Sequence, residues 1–106
     1  MSAVRTLLLS AAIAVALVAP GAAHYKFRIV GTVTKITADE IAVKQLKDNA
    51  IIEMDIDKQT KVVKDGKPAG RGQIKIGGSV VIDALGDDIL SLTATEIRLV
   101  PPIRQP

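Results

Sequence analysis

The sequence predicts an all-β protein, a small five-stranded Greek-key barrel that follows an N-terminal signal peptide, and three observations predict it. Apolar, β-branched runs of strand length begin near Phe27, Ile41, Ile51, Val80 and Ile89, which places five strands in about 75 residues. Clusters of Gly, Asp, Asn and Pro separate those runs, at Lys47-Asp-Asn49, Lys64 to Gly72, Gly77-Gly78 and Gly86-Asp-Asp88. No heptad, helical stripe or internal repeat competes with this pattern. There is no cysteine, so the domain must be held by its core, and a closed barrel has no long free edge to protect.

The leader is set aside first. Arg5 precedes the apolar run Leu7 to Val18, and Pro20 with Gly21-Ala22-Ala23 follows it, which is the order of a secretory signal peptide. The run is short of the roughly 20 residues that span a hydrocarbon core, so a cleaved leader with no stable membrane span after processing is the first expectation and a retained anchor the second. The expected division is a signal peptide over 1–23, a barrel domain over 24–100 and a loose tail over 101–106, with a periplasmic or secreted destination.

In the first strand Phe27, Ile29, Gly31 and Val33 share one parity, the period-2 pattern of a half-buried strand. Ile36 breaks it, so a bulge near Thr34-Lys35 is expected to turn Ile36 back to the core. Thr37 to Glu40 reads as a tight turn, Ile41 to Gln45 as the returning strand, and Lys47-Asp-Asn49 as a second turn suited to left-handed backbone. The third strand alternates cleanly, with Ile52, Met54 and Ile56 inward and Glu53, Asp55 and Asp57 outward. Val62-Val63 is a short β-branched piece, and Lys64 to Gly72 reads as the longest irregular connection, with Ile74 and Ile76 dropping in as an anchoring turn. Lys75-Ile-Gly-Gly-Ser-Val-Val-Ile-Asp83 then feeds the fourth strand, where Val80, Ile82 and Ala84 point one way. In the last strand Leu90, Leu92 and Ala94 hold one parity and Ile97 and Leu99 the other, which puts a second phase change near Thr95-Glu96. Pro101-Pro102 ends pairing.

Composition excludes several chemistries. Once Arg5 leaves with the leader the formal charge is +2, with both signs interspersed, which argues against a dedicated polyanion surface. Nucleic acid would need aromatic stacking platforms, and Tyr25 and Phe27 are the only aromatic residues, so no nucleic-acid partner is expected. Ser79 and Ser91 have no histidine in the domain to serve as base, and the glycines match no phosphate-cradling loop, so no enzyme and no cofactor are expected. The weak metal candidates are His24 at the new N-terminus and the row Glu53, Asp55 and Asp57, alternate residues about 7 Å apart on a strand. Copper at His24 wants another imidazole that the chain lacks, and hard cations want oxygens gathered by a bent loop. Met54 reads as core filler rather than a thioether ligand. The best binding candidates are Lys61, Lys64, Lys67 and Arg71, which with Lys58 gather around the long connection and suit an envelope protein or an anionic surface.

The segments Gly31-Thr-Val-Thr-Lys-Ile-Thr37, Thr60-Lys-Val-Val63, Lys75-Ile-Gly-Gly-Ser-Val-Val-Ile82 and Ala94-Thr-Glu-Ile97 resemble the short secreted bacterial domains of unknown function built on a glycine-x-valine, lysine-x-glycine-x-x-valine plan. The resemblance covers most of residues 28 to 100 and implies an OB-like barrel with no catalytic residues. The same plan is similar to the periplasmic copper and silver chaperones, OB-like barrels that hold a monovalent ion with methionines, a histidine and a tryptophan. The expected chain after processing has no tryptophan, one methionine and one histidine placed outside the barrel, so the resemblance implies the fold and not the metal site. The leading expectation is an exported, non-enzymatic interaction module working through the barrel rim and the 64–72 loop. The alternative is a periplasmic copper-binding accessory protein.

Overall fold

The structure, a computed structural model, describes residues 25–103; the leader, His24 and the last three residues lie outside them. Seven strands form one sheet: β1 (Tyr25–Ile36), β2 (Glu40–Gln45), β3 (Ile51–Asp55), β4 (Lys61–Lys64), β5 (Lys67–Pro68), β6 (Ser79–Gly86) and β7 (Leu92–Val100). A single 3-10 turn, Arg71–Gln73, is the helical element among the described residues. The fold is all-β, and the strand order is β3-β2-β1-β6-β7-β4-β5 with an additional β3–β7 pairing. That last pairing makes β1, β2, β3, β7 and β6 a closed ring of hydrogen-bonded strands. Its closing pair is parallel, Met54 beside Leu92, while the other pairs around the ring are antiparallel.

β1 is long because it serves two neighbours. Its first part pairs with β6 from Tyr25 to Thr32, its second with β2 from Gly31 to Ile36, and Gly31 and Thr32 belong to both ladders. At that crossover the backbones approach so closely that a Cβ on Gly31 would lie 1.9 Å from the Lys44 carbonyl oxygen, so no other residue fits without the strands moving apart. Beyond it the β1–β2 register skips Thr34, and Ile36 packs against the core as the parity break requires. A second skip falls at Thr95, where Asp83 faces Glu96 and Ala84 faces Ala94. Both bulges stand where the side-chain phase changes in the sequence.

The ring interior is one apolar cluster. Ile29, Val33, Ile41, Val43, Met54, Val80, Ile82, Ala94 and Ile97 are almost fully buried, and Ile52, Ile56, Val62, Ile74, Ala84 and Leu92 complete it. Alternation is what aims them there: β3 reads exposed, buried, exposed, buried, exposed, with Met54 inside and Glu53 and Asp55 outside. Truncating one large member of such a core costs about 2 to 5 kcal/mol.

Three expectations are corrected. Five strands were expected and seven form, because residues 64–72 are not an irregular loop: Asp65 and Gly66 both have positive φ, at 54° and 76°, and close a two-residue turn that pairs β4 with β5. Positive φ at both central residues is the hairpin turn that an Asp-Gly pair favours. Ile76 does not join Ile74 in the core; it stands 67% exposed, because the Lys75–Gly78 turn points it outward. The last strand begins at Leu92, three residues after its apolar run starts at Ile89, so Ile89 and Leu90 lie in the β6–β7 turn. There the Asp88 carboxylate accepts the Leu90 N–H at 2.8 Å and the Ser91 hydroxyl at 3.1 Å, a local turn geometry that outcompetes pairing.

Candidate functional site

The sequence-named cations separate once the chain is folded. Lys61 and Lys64 end β4, Lys67 opens β5, and Lys64 faces Lys67 directly across the turn. Like charges directly opposite on two strands are destabilising by a few tenths to about 1 kcal/mol. All three are exposed, as are Lys58 before the hairpin and Lys75 after it, and among the described residues none of these five side chains has a hydrogen-bond or ion-pair partner. Arg71 does not belong with them. Its guanidinium donates to the carbonyl oxygens of Ala38, at 3.4 Å, and of Asp57, tying the 3-10 turn to the β1–β2 and β3–β4 connections. It is a strut of the fold, and Lys75 takes its place in the basic group.

Beside the hairpin lies a cleft of about 250 Å3 with Lys64, Asp65, Gln73, Lys75 and Ser79 around an apolar floor that includes Leu99. The Ser79 oxygen accepts the Ile103 N–H at 3.2 Å, which leaves the hydroxyl proton free to donate. Two ammonium groups, one carboxylate and a free hydroxyl donor give this cleft a net charge of one positive unit, suited to a single anionic group.

The opposite arrangement occupies the outer face of β1, β6 and β7. Asp83 accepts from Arg28 Nε at 3.0 Å and from Arg98 Nη1 at 3.1 Å, and Arg98 also reaches Glu96 at 2.6 Å. Partial burial works to raise the Asp83 pKa, but the hydrogen bonds from Arg98 and then Arg28 overcome it and hold the carboxyl below its usual range. The Arg98 pKa is raised by the hydrogen bonds to Asp83 and Glu96. Two clefts of about 570 and 560 Å3 flank this network and share Asp83, Leu85 and Thr95. They are larger than the hairpin cleft, but the charges at their shared centre are already spent on one another. Size alone therefore does not make them the better site. Nothing in a single sequence reveals this network, since it depends on which residues the register sets side by side.

The carboxylate row is exposed as expected, but Asp57 is not part of a strand. β3 ends at Asp55, and the Asp57 carboxylate accepts the Gln59 N–H at 2.9 Å to close the turn into β4. The Thr60 hydroxyl accepts the Asp57 N–H at 3.0 Å and donates to the Ala94 carbonyl at 2.6 Å, so this turn is bolted to β7. Met54 is 1% exposed and lies inside the ring. Among the described residues no three His, Cys, Asp or Glu side chains are grouped so as to hold a metal ion, and His24 lies outside them. Among them, too, no helix is long and apolar enough to cross a membrane.

Taken together these features define a small all-β module with a closed ring, a charge-paired face and a charge-unpaired hairpin. No family model, curated protein or solved structure matches the chain.

Proposed function

We propose that the chain is an exported, non-enzymatic interaction module that meets an anionic envelope partner through the β4–β5 hairpin and the cleft beside it. The observation that carries this reading is the pair Lys64 and Lys67, opposed across a two-residue turn and unpartnered, with Lys61 and Lys75 beside them. Elsewhere on the ring the cations Arg28, Lys35 and Arg98 each have a carboxylate within 3.0 Å. A local repulsion between two directly opposed lysines, kept by a folded domain that pairs Arg28, Lys35 and Arg98 with carboxylates, is the kind of broken rule found at functional positions. An anionic group seated between the lysines turns that repulsion into attraction.

Export rests on the leader pattern around Leu7 to Val18. The finer fold reading is an OB-like barrel, supported by the ring order β3-β2-β1-β6-β7 closed by a parallel pair and by the long, bent first strand. No observation favours the copper alternative over this one: Met54 is core and Asp57 is committed to its turn.

The test is a residue-resolved NMR titration of the chain from His24 onward with polyglutamate. Strands and core all lie within the described residues, so this portion carries the whole ring. Shifts are expected at residues 58–67 and 75–79, weakening with salt and vanishing in a Lys64→Glu, Lys67→Glu variant. Shifts confined to the Arg28 and Arg98 face, or none at all, would remove the reading. Parallel titrations with Cu(I), Cu(II), Zn(II) and Ca(II) are expected to leave residues 53–57 unmoved, and localised shifts there would restore the metal alternative.

A further inference from the structure

Large apolar side chains that stand exposed are concentrated at one rim of the ring. Among the described residues there are six, and five belong to that rim: Tyr25, Ile51, Leu85, Ile89 and Leu90. Tyr25 is the register partner of Gly86, the last residue before the β6–β7 turn, and Lys26 is the partner of Leu85. Ile89 and Leu90 form that turn, and they line a hollow of about 240 Å3 together with Ile51 at the start of β3. Leu90 is 88% exposed, Tyr25 63% and Ile51 52%. The sixth, Ile76, stands in the Lys75–Gly78 turn, whose glycines bond to Val33 toward the other end of β1.

The hairpin is at the far rim as well. β4 runs parallel beside β7 with Lys64 at the level of Leu99, seven residues on from Leu92, which is about 20 to 25 Å at strand rise. The ring therefore has an apolar end and a basic end.

The chain comes into the ring at the apolar end. Six residues separate Tyr25 from the apolar run Leu7 to Val18, and that many residues span at most roughly 25 Å. While that run is still joined to the chain and meets lipid, this rim is held within reach of the bilayer surface. Its own side chains suit that surface: a tyrosine with one apolar and one polar end, a lysine next to it of the kind that can lay its stem on apolar surface and keep its ammonium in water, and an exposed Leu-bearing turn. Contiguous exposed apolar side chains of this kind mark membrane or protein contacts.

We infer that the rim formed by Tyr25, Ile51, Leu85, Ile89 and Leu90 rests in the bilayer interface and orients the ring with its basic hairpin facing away from the lipid. The attraction is apolar rather than electrostatic, since Glu53, Asp87 and Asp88 share this rim with Lys26. Neutral lipid is therefore sufficient. The inference uses the opposite end of the ring from the anion-binding reading, so each stands or falls alone.

The chain has no cysteine, which allows clean single-site labelling. Leu90→Cys, Ile51→Cys and Lys67→Cys variants of the full chain, each carrying an environment-sensitive fluorophore, are mixed with phosphatidylcholine vesicles. Blue-shifted, brighter emission is expected from positions 90 and 51 and unchanged emission from position 67. No shift at 90 and 51, or an equal shift at all three positions, overturns the orientation. A shift at position 90 without vesicles that grows with protein concentration assigns the rim to a second copy of the chain and overturns it too. All three labelled residues are exposed, so the substitutions leave the core untouched, and Ile51→Cys gives an independent answer from a different strand.

Discussion

The five-stranded ring and the β4–β5 hairpin are built from the same residue types but under opposite rules. In the ring, several outward charges find partners, although Lys26 and Lys44 have none among the described residues: Arg28 and Arg98 share Asp83, Arg98 holds Glu96, and Lys35 holds Glu40 at 2.8 Å. In the hairpin, Lys64 faces Lys67 and both stay unpaired. The ring is also where the apolar mass lies, whereas the hairpin contributes Val62 alone to the fully buried cluster. A small domain without disulfides draws its stability from such a core, and an excursion that adds little to it is free to carry side chains chosen for something else. On the proposed reading, stability and interaction are thereby separated in space.

The largest expected effect tests that separation. Ile82→Ala removes a fully buried side chain from β6, which pairs on both sides within the ring, and is expected to cost about 2 to 5 kcal/mol in urea unfolding. Val62→Ala in β4 removes two methyl groups from the edge of the same core and is expected to cost about 1.5 kcal/mol. Equal costs would show that the hairpin is as much a part of the core as the ring, and the comparison would break.

Much of this ring was legible in the sequence, and the reason is its period of two. Ile52, Met54 and Ile56 alternate with Glu53 and Asp55, and the alternation alone assigns faces without any knowledge of partners. The phase breaks at Ile36 and at Thr95 likewise announced the two bulges, since an apolar residue of the wrong parity reaches the core only if the strand skips one. The hairpin was missed although Asp65-Gly66 is a strong turn signal, because Lys64 and Lys67 to Gly70 flank it with polar residues and turn formers instead of an alternating apolar run. Leu90 and Ile76 misled for the converse reason. They are apolar and adjacent to strands, but local turn hydrogen bonds place them outside. The candidate site was half legible: the lysines stand close together in the chain, but the release of Arg71 to carbonyl oxygens and the arrival of Lys75 and Ser79 depend on tertiary contacts.

A smaller effect of opposite sign sharpens the contrast in charge. Lys67→Glu replaces a like pair across the turn by an attractive one and is expected to stabilise the domain by about 0.2 to 1 kcal/mol while weakening its hold on polyglutamate. Arg98→Glu in the ring is expected to destabilise, since it sets a third carboxylate beside Asp83 and Glu96. If both substitutions moved the urea midpoint in the same direction, the hairpin would not be the unpaired region that its register implies.

The smallest effect is the pH dependence of the paired face. The Asp83 pKa is lower in the folded protein than in the unfolded chain, because the hydrogen bonds from Arg98 and Arg28 outweigh the desolvation that opposes them. A depressed carboxylate pKa stabilises the fold fully above the unfolded value, near 4, and that contribution is lost as pH falls through the lower folded value. Both arginines and Asp83 keep substantial contact with water, so the contribution is expected to be no more than about 1 kcal/mol and to shrink in salt. Thermal melts of the wild type and of Arg98→Gln between neutral and strongly acid pH read it directly. The variant should start lower at neutral pH and lose less on acidification, because one of the two groups that favour ionised Asp83 is gone. Parallel curves would mean that Arg28 alone holds the carboxylate and that Arg98 is spent on Glu96. The ring's pairing would then be two separate contacts in place of a shared network, and the line between its charge-satisfied face and the open hairpin would be correspondingly weaker.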